Sequence, residues 1–167
     1  MSEIISFKSN QELRDSLIRW WSSLKDSHGN RAELRRCHSP TEVIFTPAYH
    51  ELLLSLERKG LSVNREALVV IAGVLAHVKV NNPGKSLATQ MAMSREQGGN
   101  ARVSGLRFRR LLKITAREEL YEPLIRIVQL LNGDVNLIDL SESIYFWGES
   151  RRKQWANDYY QQAPSEK

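Results

Sequence analysis

Cysteine is nearly absent: Cys37 is the single one in 167 residues. One thiol allows no internal disulfide and no cysteine-built zinc site, which points to a reducing, intracellular setting. Long apolar runs are missing too. The longest, Ala67 to Val78, is interrupted by Gly73 and His77 and falls far short of the roughly 20 residues a membrane-spanning helix needs. The opening MSEIISFKSN has no basic stretch leading into an apolar one, so no secretory leader and no membrane contact are expected, and the expected location is cytoplasmic. There is no P-loop and no nucleophile elbow. The four histidines, His28, His38, His50 and His77, lie in separate segments without a partner at metal-ligand spacing. The reading is therefore of a non-enzyme with no cofactor and no metal.

What remains is an ordinary globular composition, 41% hydrophobic and 26% charged, enough to bury a core of normal size. The signals along it are helical. Ser9 with Glu12 reads as a capping box before an amphipathic run carrying Leu13, Leu17, Trp20, Trp21 and Leu24. A turn at Ser27–Asn30 then precedes a short helix, Arg31 to Cys37, closed by Ser39-Pro40. Thr46-Pro47 opens a helix that runs to Lys59, with Gly60 where a C-terminal glycine belongs. Asn64 caps a run from Arg65 to about Val80 that is apolar nearly all round, the pattern of a buried central helix. After the breaker Asn81-Asn82-Pro83-Gly84, further helices are expected over 86–93, 104–114, 115–131, 136–147 and 150–160, with a frayed tail. The fold class is all-α, with eight or nine helices in two small bundles, residues 1–82 and 83–167. No strand is expected. The four tryptophans and Cys37 fit core positions better than ligand contacts.

Net charge is +5, but its distribution says more than its size. Residues 1–84 carry 11 basic and 9 acidic side chains, and residues 85–167 carry 13 and 10. Between Arg102 and Lys113 there are five basic residues and no acid: Arg102, Arg107, Arg109, Arg110 and Lys113. On a helix, Phe108, Leu111 and Leu112 share one side and Arg109, Arg110 and Lys113 the other, with Arg107 at the border and Leu106 spoiling the segregation. Such a helix packs one side on a core and offers cations to a polyanion backbone, which attracts them without reading sequence. Arg31, Arg35 and Arg36 form a second cluster, and Arg151, Arg152 and Lys153 a third. Gly98-Gly99-Asn100 lacks the pattern of a phosphate-binding loop and reads as a mobile loop able to touch a ligand.

These landmarks, taken in order, resemble the CasB family, the small helical subunit of the type I-E CRISPR surveillance complex, Cascade. The resemblance covers roughly residues 12–160. It rests on Ala32 to Arg36, Pro40, Pro47-Ala-Tyr49, the apolar helix from Arg65, Ser86-Leu-Ala88, the Arg-rich stretch from Arg102 to Lys113, and Trp147-Gly148 before a helix carrying Trp155 to Tyr160. It implies a non-catalytic subunit in two small bundles. Two copies would sit beside the backbone subunits that hold the guide RNA (crRNA), with the large subunit as a further partner, holding the target DNA and the displaced single strand of the R-loop. The residues it implicates are Arg35, Arg36, Arg65, Arg102, Arg107, Arg110, Lys113, Arg117 and Arg126, with Arg109 on the same helix face. Guide pairing then reads sequence, and protein contacts to the backbone tip a near-balanced strand exchange. A stand-alone DNA-binding regulator is the alternative. It fits less well, because a groove-reading helix mixes Asn, Gln and Ser with Arg, whereas residues 104–114 offer Arg and Lys.

Overall fold

A computed structural model describes residues 6–164. The start of the leader reading and the end of the frayed tail lie outside the described residues. The fold is all-α, as expected. The described residues hold ten α-helices where eight or nine were expected: α1 (Gln11–Ser23), α2 (His28–Arg35), α3 (Pro40–Ile44), α4 (Pro47–Arg58), α5 (Arg65–Leu75), α6 (Leu87–Ala92), α7 (Gly105–Leu112), α8 (Tyr121–Leu130), α9 (Leu137–Tyr145) and α10 (Glu149–Gln162), with a 3-10 helix at Arg117–Leu120 before α8.

Local chemistry starts most of them. The side-chain oxygens of Thr46, Asn64, Ser86, Ser104 and Asn136 each accept the N–H three residues on, satisfying a donor that a helix start leaves unpaired. Gly60 follows Lys59, the C-cap of α4, and adopts φ 75°, the left-handed stop that favours glycine.

Several starts and stops differ from expectation. The α1 cap is Asn10, whose Oδ1 accepts from Leu13 N at 3.0 Å, not Ser9. His28 begins α2 rather than belonging to a turn. Ser39-Pro40 opens α3 instead of only closing a helix, because proline is pre-set for a first helical position and the Ser39 hydroxyl caps it. The helix expected over 115–131 starts late: a 3-10 turn fills Arg117–Leu120 and α8 begins at Tyr121. Gly148, not Ser150, precedes the last helix, which continues to Gln162.

The apolar helix stops at Leu75, short of Val80, and the reason is a pairing that no local pattern reveals. Lys79 N and Val80 N both donate to the Gly133 carbonyl, at 2.8 and 3.0 Å. Two short parallel strands follow, β1 (Val80–Asn81) and β2 (Asp134–Val135), with Val80 opposite Asp134. The expectation of no strand is corrected to that extent.

Helix α5 is the centre of the fold. Every residue from Ala67 to Leu75 is buried, and α2, α3, α4, α8, α9 and the 3-10 helix all pack on it. Helix α10 lies against α6. The four tryptophans are core residues, each with its indole N–H inside the fold. Trp20 donates to Ala48 O, Trp21 to Val78 O, Trp147 to Ile114 O and Trp155 to Ser143 Oγ, which removes the desolvation cost of burying them. Cys37 is buried, and burial pushes its thiol pKa up.

Candidate nucleic-acid interface

Helix α7 presents the basic side chains first. Ser104 fixes its start, and Gly105, Phe108 and Leu111 face the core. Phe108 stacks on Tyr159 of α10 with centroids 3.9 Å apart and planes 7° from parallel. That anchor turns Leu106, Arg107, Arg109, Arg110 and the C-cap Lys113 outward, all of them exposed. Arg152 Nη1 donates to the Leu112 carbonyl at 3.0 Å and caps the helix end. Arg102, just before α7, is half-buried with its Nε enclosed and unpartnered.

The other cations lie elsewhere. Arg35 and Arg126 line one small cleft between α2 and α8, together with His77 and Tyr121. Arg35 is anchored there, its Nε donating to the Ala76 carbonyl at 2.7 Å. Burial, then repulsion from Arg31, lowers its pKa. His77 Nε2 is enclosed without a partner, and burial followed by the Arg35 charge lowers the imidazole pKa to about 4. Arg36, at the C-cap of α2, is exposed. Arg65 and Arg117 share a third place, a groove beside Tyr49 and His50. Neither is loose. Arg65 pairs with Glu57 at 2.6 Å, and Arg117 donates from two nitrogens to carbonyls at the end of α9. Of the ten residues implicated by sequence, four lie on the α7 face, two in each of two separate hollows, Arg36 on the exposed end of α2, and Arg102 half-buried before α7.

One basic hollow was not foreseen. Lys25, Arg31 and Lys79 line it with His28 and Trp21, and no acid does. Lys25 sits 4.7 Å from the Trp21 ring centroid. Only Arg31 belonged to a recognisable cluster; Lys25 and Lys79 arrive from α1's end and the approach to β1, so no sequence spacing links them.

No group of three or more metal-ligating side chains occurs among the described residues, and no described helix is long and apolar enough to cross a membrane. The fold and surface define a helical protein with an acid-free cationic helix face. The pattern of the CRISPR-associated protein Cse2 family matches residues 30–160. The chain belongs to that family. Its fold is similar to a chain in the crystal structure of E. coli Cascade bound to a PAM-containing dsDNA target (TM-score 0.69, 21% identity, 88% of this chain and 93% of that one). It is also similar to CasB from Thermus thermophilus (TM-score 0.61, 23% identity, 86% and 96%). No curated protein sequence matches the chain.

Proposed function

We propose that this chain is a non-catalytic subunit of a guide-RNA surveillance complex of the Cascade type, holding nucleic acid through phosphate contacts. The observation that carries the reading is the outer face of α7, with Arg107, Arg109, Arg110 and Lys113 and no acid, on a chain of the Cse2 family. Four cations on one short helix favour a polyanion, and arginine forks suit phosphate oxygens. Arg35, Arg36, Arg65, Arg102, Arg117 and Arg126, which lie off that face, are further contacts that the family resemblance suggests. The partners in this reading are the backbone and large subunits with their crRNA, a second copy of the chain, the target DNA and the displaced strand. Its role there is to stabilise the open R-loop.

Two measurements test it. Co-expression with the other subunits of a type I-E complex and a guide RNA, followed by native mass spectrometry, should give an RNA-bound particle containing two copies of this 19.2 kDa chain. Replacing Arg107, Arg110 and Lys113 together by Glu should abolish DNA binding and leave the helical circular-dichroism signal in place. A triple variant that binds like the parent overturns the assignment to α7.

A further inference from the structure

The glycine loop at residues 98–100 and the exposed Tyr160 have no part in the phosphate contacts, yet they meet. They line one hollow of about 930 Å³ with Ser104 and Gly105 at the start of α7, large enough to admit a small planar group. We propose that this hollow takes an unpaired nucleobase from a strand whose phosphates lie on α7, an inference that rests on the function proposed above.

The loop is built to leave space. Ser94 and Ala101 bridge across its base, and Ser94 Oγ donates to the Gly99 carbonyl at 2.6 Å. Gly98 adopts φ 77°, and a Cβ placed on it would meet nothing within 4 Å. The chain reverses there without filling the space it encloses. The floor is fixed, because the Tyr159 hydroxyl donates to the Val103 carbonyl at 2.7 Å.

Tyr160 supplies the aromatic surface. It is 51% exposed, unlike the buried Tyr159 beside it. Phe108 and Tyr159 meet it at 83° and 86°, with centroids 5.9 and 5.3 Å away. These contacts hold the ring in place, and neither neighbour lies parallel on it. A ring positioned this way stacks on any base, since every base has a π face. Arg107 follows Gly105 by two residues on α7, so the phosphate-binding face begins where the hollow ends. A duplex keeps its bases inside, so the arrangement selects a single strand.

The test compares the full-length chain with Tyr160→Ala, Tyr160→Leu and Tyr160→Phe. Binding is measured by anisotropy to a short oligothymidine, to an abasic strand of equal length, and to duplex DNA. Tyr160→Ala and Tyr160→Leu should weaken oligothymidine binding about five- to a hundredfold, with the abasic strand and duplex unchanged. Tyr160→Phe should bind as the parent does. Tyr160→Leu keeps apolar bulk against Phe108, so it reports on the aromatic face if the alanine variant does not fold. Equal affinities for oligothymidine in parent and Leu variant overturn the base site and leave the phosphate reading standing, as does an equal loss on all three nucleic acids. A parent chain that binds none of them overturns both.

Discussion

Arg117 closes the end of α9 through Ile144: its Nε donates to the Ile144 carbonyl at 2.9 Å, and its Nη2 to the neighbouring Tyr145 carbonyl at 2.9 Å. The last carbonyls of a helix have no partner inside it, and a cation there also meets the negative end of the helix dipole. Arg117 comes from the 3-10 turn before α8, so the contact ties two elements together. Arg117→Ala should therefore lower stability by about 1–3 kcal/mol. Arg117→Lys should recover only part of that, because an ammonium lacks the planar fork. Urea unfolding measures it, and an unchanged midpoint in the alanine variant refutes the cap.

The same residue shows what a sequence can and cannot reveal. Helix α7 was legible because its determinants are local: Ser104 three residues before Arg107, and Phe108 and Leu111 on the side away from the cations. The cap made by Arg117 is not local, since Ile144 lies 27 residues away. Likewise β1 depends on Gly133 carbonyl contacts from Lys79 and Val80, which ended α5 early. Ser39-Pro40 misled for a different reason: proline both terminates one helix and starts the next. The Lys25, Arg31 and Lys79 hollow follows only from how α1, α2 and β1 meet.

Gly73 lies where neighbouring side chains press closely on the central helix. A Cβ there would lie 2.5 Å from Tyr121 Cε2 and 2.9 Å from Val43 Cγ2. Tyr121 cannot easily retreat, because its hydroxyl donates to the Cys37 carbonyl at 2.8 Å. Alanine is otherwise the better helix former by about 1 kcal/mol. Gly73→Ala should nonetheless destabilise the fold by about 1–3 kcal/mol net, the usual cost of overpacking. Thermal unfolding decides the sign, and a raised midpoint would show that Tyr121 and Val43 yield.

His77 gives the fold a pH dependence of defined direction. Its unfolded pKa is near 6.5 and its folded one about 4, through burial first and the Arg35 charge second. Between these values the unfolded chain binds more protons than the folded one, so stability rises with pH across the window. The contribution is complete above pH 6.5 and is lost as pH falls toward 4. Other groups also titrate in this window, so the comparison is between the parent and a variant. His77→Gln should show a flatter dependence of the urea midpoint than the parent between pH 6.5 and 4. Parallel curves would mean that His77 protonates freely in the folded state.

The salt dependence of binding separates cations that meet phosphates from cations that hold the fold. Each neutralised phosphate releases counterions and contributes about −0.7 to −0.9 to the slope of log affinity against log salt. Lys113 and Arg110 are exposed on α7, so Lys113→Gln and Arg110→Gln should each shallow the slope by about that amount and leave the unfolding midpoint near the parent value. Arg152 is also basic and near in space, but its Nη1 is spent on the Leu112 carbonyl. Arg152→Gln should reverse the pattern, lowering the midpoint while leaving the slope nearly intact. Salt titrations of the three variants on one DNA, with unfolding curves alongside, measure both quantities. If Arg152→Gln shallows the slope as much as Lys113→Gln does, the phosphate-binding surface extends past the end of α7 onto α10.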